Sequence, residues 1–254
     1  MAHRIAFCMQ KGGVGKTTTS LNLGAVLAKE GAKVLVVDLD PQANLTMGLG
    51  VNLDELEYSI YEVLLNPHHG HAFATLSLDS GLDIIPSTLA LAGAELELAG
   101  KVGREILLRK ALLAADEIYD YILIDSPPSL GLFTLNALAA AQTVIVPLQV
   151  HAFAFKAMPQ LQATIDLVRD LNPPLRIGGI VCTLVDKRTN LSRVIEEQIR
   201  AQYGDLVFTT TIPTNIKLAE APAASEPISR YAPDSTGSKA YERLGKEVMK
   251  RYEQ

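Results

Sequence analysis

Gln10-Lys11-Gly12-Gly13-Val14-Gly15-Lys16-Thr17-Thr18 is the stretch on which the reading of this chain turns. It follows Ile5-Ala6-Phe7-Cys8-Met9, an apolar run of strand length, and leads into Leu21–Ala28, whose apolar residues have helical spacing. A strand, a glycine-rich turn and a helix start are the context of a phosphate-binding loop. Glycines let backbone N–H groups converge on phosphate oxygens without Cβ clashes. The helix N-terminus adds free donors and a partial positive charge. Gly12, Gly13, Val14, Gly15 and Thr18 are thus expected around the phosphates, with Lys16 reaching the outer ones and the Thr17 hydroxyl on Mg²⁺. The loop departs from the usual G-x-x-x-x-G-K-[ST], which would put glycine where Gln10 stands; instead a second lysine, Lys11, heads it.

Working outward, apolar runs of strand length alternate with amphipathic stretches of helix length. That is the pattern of an α/β fold with a single doubly wound, mostly parallel sheet flanked by helices. Strands are expected at 4–9, 33–38, 82–86, 120–125, 143–147, 176–183 and 206–212. Helices are expected at 17–30, 59–66, 87–98, 102–117, 131–141, 153–170, 190–203 and 236–252. The phosphate loop lies near residue 10 and related segments recur past residue 220, so residues 1–254 read as one domain. In open α/β sheets ligands bind at the carboxyl ends of strands. Lys11–Thr18, Asp38/Asp40, Asp125 and Pro213/Asn215 each fall just after a predicted strand, so four segments should meet at one sheet edge.

The acids in that set have separable tasks. Asp38 and Asp40 follow Lys33–Val37, and period-two alternation puts both on one side of the extending strand. One carboxylate supports Mg²⁺ or the loop while the other orients the attacking water. Asp125 ends Ile122-Leu123-Ile124, the placement of an acid near the metal. The Ser126-Pro127-Pro128 that follows is stiff and reads as a switch loop.

Composition bounds the rest. The net charge of −5 argues against bulk attraction to polyanions. Residues 1–186 hold 12 Lys+Arg against 19 Asp+Glu, whereas residues 187–254 hold 11 against 9, so nucleic-acid contact would come from a patch on the carboxyl third. No run of 18 apolar residues suggests a membrane span, and no basic-then-apolar leader opens the chain. Cys8 and Cys182 lie in predicted strands and read as core thiols of a reduced cytoplasm. His68-His69-Gly70-His71 reads as a solvated loop rather than a metal site, and Leu89–Leu98 as an apolar helix that serves either core or subunit interface.

Lys11–Thr18, Val37–Gln42, Leu91–Glu95, Ile124–Gly131, Arg188–Leu191 and Leu218–Pro222 together resemble the deviant Walker A ATPases, and within them the ParA/Soj-type partition ATPases. The resemblance runs from Ile5 nearly to the carboxyl terminus and implies a P-loop fold. It implies slow ATP hydrolysis with Mg²⁺, in a homodimer that sandwiches two nucleotides, Lys11 of each subunit reaching the other's ATP. Lys11, Lys16 and Asp40 would carry catalysis, Asp40 orienting water, while Thr17, Asp38 and Asp125 serve the metal. Pro213, Thr214 and Asn215 would pack on the adenine. The dimer would bind double-stranded DNA non-specifically through Arg188 and Lys217, with Arg193 and Lys156 the next candidates. A ParB-like protein would stimulate hydrolysis, and the protein would be cytoplasmic and nucleoid-associated. The rival implication is a relative that positions a chemoreceptor cluster or protein microcompartment along the nucleoid. Three positions depart from the family: Thr214 stands where relatives commonly carry arginine, and His151 and Lys156 where acidic residues are usual. The helix at 236–252 reads as a packing element, without the basic amphipathic membrane helix of MinD-like proteins.

Overall fold

The computed structural model describes residues 1–151 and 154–252. Eight strands form one sheet: β1 (His3–Phe7), β2 (Val34–Asp38), β3 (Leu76–Ser77), β4 (Leu82–Ile85), β5 (Tyr121–Asp125), β6 (Thr143–Gln149), β7 (Arg176–Val185) and β8 (Val207–Pro213). Their order is β3-β4-β2-β5-β1-β6-β7-β8, all parallel except the two-residue β3, which pairs antiparallel with β4 at the edge. The seven expected strands are all present, and β3 is additional.

The helices are α1 (Lys16–Lys29), α2 (Asn44–Gly48), α3 (Ile60–Leu65), α4 (Leu91–Leu98), α5 (Leu107–Ala111), α6 (Leu132–Ala140), α7 (Met158–Val168), α8 (Asn190–Tyr203), α9 (Ile216–Glu220), α10 (Ile228–Tyr231) and α11 (Thr236–Tyr252). They cover both faces. On one, α1, α10 and α11 close over Ile5, Phe7, Val34, Val36 and Leu123; on the other, α3 to α8 close over Ala6, Leu35, Val37, Ile122 and Ile124. Alternate residues of each central strand thus feed different cores, which is why those strands are apolar throughout rather than alternating.

Three helices depart from expectation, and long-range hydrogen bonds account for the largest departure. The helix expected over 102–117 breaks into a 3-10 turn at Arg104–Ile106, α5, and a second 3-10 turn at Ala114–Glu117. Gly103 takes a left-handed φ of 71° ahead of it. From α6, Asn136 accepts from Leu108 N at 3.0 Å and donates to Arg104 O at 2.8 Å. Arg4 of β1 donates to Leu112 O at 2.9 Å. These side chains take the backbone groups that a continuous helix would use. The helix expected over 87–98 starts only at Leu91, after a turn in which Leu91 N, Ala92 N and Gly93 N bond the carbonyls of Thr88, Leu89 and Ala90; Ser87 N donates to Thr46 Oγ1 at 2.9 Å. α7 starts at Met158, with Pro159 in its first turn, after a 3-10 turn at Ala154–Lys156; Phe153, in the expected helix, lies outside the described residues.

Both cysteines are buried and unpaired. The histidine cluster is not uniformly solvated: His68 and His69 are exposed, but His71 is buried edge-on to the Tyr119 ring at 6.1 Å. Among the described residues, no group of His, Cys, Asp and Glu could hold a metal ion on its own. α4 packs into the core through Leu91, Ala94 and Leu98 and leaves Leu96 exposed.

Candidate nucleotide site

Parallel register brings the acids together. Asp38 and Asp125 are direct partners across β2 and β5, and Phe7 is Asp125's partner on β1. The phosphate loop leaves β1 at this same edge. Gly13 and Gly15 adopt φ of 71° and 90°, where a side chain would be strained, and Val14 is buried beneath with its carbonyl accepting from Thr183 Oγ1 at 2.8 Å. No side chain caps the first turn of α1, so its N–H groups face the loop unclaimed.

The loop opens into a cleft of about 460 Å³ whose walls include Gly12, Lys16, Thr17, Asp40, Pro128 and Pro222. A second recess of about 200 Å³ shares Gly13, Gly15 and Thr18 with it and is lined by Leu184, Ile212, Pro213, Asn215, Leu218 and Tyr241. The first offers backbone donors and a lysine; the second is apolar and suited to a flat ring. Thr214 is not among the residues lining either recess.

Burial dominates the electrostatics. Lys16 is nearly buried, which lowers its pKa, opposed by the neighbouring Asp125. Asp125 is fully buried and its carboxyl is pushed well above the usual range, first by desolvation and then by Asp38. Its Oδ2 accepts from Thr17 Oγ1 at 2.7 Å, and its Oδ1 has no hydrogen-bond partner. An orphaned, buried carboxylate oxygen beside a hydroxyl with free lone pairs fits a divalent cation, so Thr17 and Asp125 are the residues that would hold Mg²⁺.

Asp38, also expected near the metal, is otherwise engaged. Its Oδ2 accepts from both Thr46 N (3.0 Å) and Thr46 Oγ1 (2.7 Å), and its Oδ1 from Asp40 N (3.0 Å). Desolvation raises its pKa to about 6 despite these bonds. This is the loop-supporting role, and it leaves Asp40 half-buried in the cleft wall, its Oδ1 accepting from Gln42 N at 3.0 Å. The Thr46 hydroxyl also accepts from Ser87 N, so Thr46→Val strips Asp38 of one bond and orphans a buried donor. We expect a loss of about 2–4 kcal/mol, measured by urea unfolding of the nucleotide-free protein; a loss below about 1 kcal/mol would deny Thr46 this role.

Lys11 lies outside the cleft lining, and its Nζ donates to Gln149 Oε1 at 2.7 Å, at the end of β6. The two lysines thus occupy different environments, one buried under the phosphates' place and one tethered at the surface. Ser126 Oγ donates to Phe7 O at 2.7 Å, anchoring the start of the Ser126-Pro127-Pro128 segment while Pro128 reaches the cleft. Asn44, Thr183 and Tyr241 line the two recesses and Gln149 holds Lys11 beside them, four positions that motif reading missed. Of these, Thr183 had a signal available in its position near the carboxyl end of β7.

The basic candidates lie further round. Arg188 holds Asp186 through two nitrogens, at 2.9 and 2.8 Å; Lys217 contacts Glu220 at 2.8 Å and lies 5.7 Å from the Tyr231 ring centre. Arg193 and Lys156 are exposed. Ala152 and Phe153, part of the loop between His151 and Lys156, lie outside the described residues.

A parallel sheet with a phosphate loop at its switch point, a buried lysine and a Thr–Asp cation seat define a P-loop nucleoside-triphosphatase. A family model described as an AAA domain matches residues 2–177. The chromosome-partitioning ATPase Soj of Thermus thermophilus is 48% identical over 99% of this chain and 97% of its own length. The structure of cobyrinic acid a,c-diamide synthase from Mycobacterium smegmatis with bound ADP and magnesium superposes with a TM-score of 0.87 at 38% identity, covering 100% of this chain and 96% of that one. A plasmid partition protein from Borrelia burgdorferi bound to AMPPNP gives 0.82 at 28% identity, covering 99% and 100%. The chain belongs to the Soj/ParA family of ATPases.

Proposed function

We propose that this protein is a DNA-segregation ATPase: ATP joins two subunits face to face, the dimer binds duplex DNA without sequence preference, and hydrolysis releases it. The observation that carries the reading is the division of labour between Lys16, buried in the cleft, and Lys11, held outside it where a second subunit can meet it. The names of the most similar curated relatives support partition over the positioning of another cargo. Mg²⁺ held by Thr17 and Asp125 would supply positive charge at the phosphate oxygens. Lys16 and the loop N–H groups bind the phosphates, the recess at Pro213 and Asn215 takes the base, and Asp40 orients water for in-line attack. A ParB-like activator would speed that step. No helix among the described residues is long and apolar enough to cross a membrane, and we place the protein in the cytoplasm, on the nucleoid when ATP is bound.

DNA binding should require ATP, because dimerisation doubles the few basic groups one subunit offers. The Arg188–Asp186 and Lys217–Glu220 pairs are solvent-exposed, so phosphate can compete for both cations. Each phosphate neutralised contributes about −0.9 to the slope of log K against log[salt]. Arg188→Ala and Lys217→Ala should each flatten that slope by roughly 2 on DNA of any sequence, since each subunit gives up one phosphate. A salt titration checks this, with sedimentation showing that ATP still drives dimerisation. Unchanged slopes in both variants would move the DNA face to other residues.

A further inference from the structure

α11 has two faces of opposite chemistry. Inward, Ala240, Tyr241, Leu244 and Val248 are buried against α1 and β8. Gly245 packs so closely on α1 that an added Cβ would lie 2.5 Å from Val26 Cγ1, which holds the helix in one rotation. Outward, Lys239, Arg243, Lys246 and Lys250 are all exposed. At 3.6 residues per turn they fall within about 60° of arc and span about 16 Å.

The other charges of the helix are spoken for. Glu242 pairs with Lys29 at 3.0 Å, and Glu247 accepts from Thr209 N and Thr210 N at 2.6 and 3.0 Å. Arg251 donates to Gly178 O and Leu206 O over the Phe208 ring. Lys239 has only the exposed Asp234 at 3.8 Å; Arg243, Lys246 and Lys250 have no ion pair among the described residues. On an acidic protein, this helix therefore presents a row of four cations, three of them without an ion pair among the described residues.

We propose that the stripe is a second contact surface for the phosphate backbone of duplex DNA, running on from the corner that holds Lys217. It rests on the DNA-binding reading above and extends it to residues outside the Arg188 turn. Asn215, which caps α9, donates to Thr236 Oγ1 at 2.8 Å, joining the start of α9 to the start of α11. One strand of a duplex carries a charge every 3.4 Å or so of axis, so a 16 Å row faces about four or five phosphates. A membrane surface is the poorer fit, because an interfacial helix must offer its apolar face and this one has buried it.

The test is a salt titration of ATP- and Mg²⁺-loaded protein on random-sequence duplex DNA, comparing the parent with Arg243→Gln/Lys246→Gln/Lys250→Gln. Glutamine keeps helix propensity while removing charge. Removing three phosphate-binding cations from each of two subunits should flatten the slope by about 5, with dimerisation and DNA-free ATP hydrolysis unchanged. Lys246→Gln alone, expected to flatten it by roughly 2, serves if the triple variant folds poorly. Parent-like slopes in variants that still dimerise overturn the stripe and leave the partition reading standing. A parent protein that binds no DNA with ATP overturns both. Binding to phosphatidylglycerol vesicles that the triple variant loses, with DNA binding unaltered, assigns the stripe to lipid and overturns the proposal.

Discussion

Asp40→Ala will bind ATP with Mg²⁺ at close to the parent affinity, yet hydrolyse it roughly 100-fold more slowly or worse. Asp40 lines the cleft beside the buried lysine–aspartate cluster: its backbone N–H bonds Asp38, which alanine keeps, while its carboxylate is held by Gln42 N. Its removal should therefore spare the phosphate seat and take away only the group that orients water. Since hydrolysis is what separates the proposed dimer, the variant should accumulate as an ATP-bound, DNA-competent dimer. Size-exclusion chromatography with ATP and Mg²⁺, beside a phosphate-release assay, reads both effects. A variant that stays monomeric, or that turns over at the parent rate, removes Asp40 from this role.

The second large effect separates the two lysines. Lys16→Ala deletes a charge from the cleft floor and leaves Asp125 and any phosphate without its nearest cation, so nucleotide affinity should fall roughly 10- to 100-fold. Lys11→Ala removes a group whose contact here is Gln149, outside the cleft, so monomer affinity should hold while ATP-dependent dimerisation and hydrolysis disappear. Fluorescent-nucleotide titration gives the first quantity and sedimentation velocity the second. Equal losses of affinity in the two variants would put both lysines on the same nucleotide and end the cross-subunit role.

The seven parallel strands were legible because strands covered on both faces are continuous apolar runs. The two-residue β3 has no such run, and α2, α9 and α10, at four or five residues, are too short to show a helical period. The broken helix around α5 was hidden for another reason. Its interruptions come from Asn136 and Arg4, which reach it only once the sheet and α6 are in place. At the site, the phosphate loop and the strand-end aspartates announced themselves through spacing and position. The division between Asp38 and Asp40 did not, since it depends on Thr46, eight residues on, claiming Asp38's carboxylate. Gln149 carried no signal at all, because an amide at a strand end is ordinary until a lysine is found on it. The row on α11 was periodic in sequence, but its net charge emerged only when Glu242 and Glu247 were seen to be engaged elsewhere.

The Lys11–Gln149 contact also bears on how quickly two subunits can join. It pairs the ammonium with a neutral amide at the surface, where water competes and holds such a bond to about 1 kcal/mol. A side chain held that loosely is undocked for roughly a tenth to a third of the time. Rotamer exchange of exposed side chains takes picoseconds to nanoseconds, far shorter than the interval between productive protein encounters. An incoming subunit therefore meets a lysine that has sampled its free state many times over. The waiting time for assembly is set by collision and by nucleotide occupancy, with no unlatching step ahead of it.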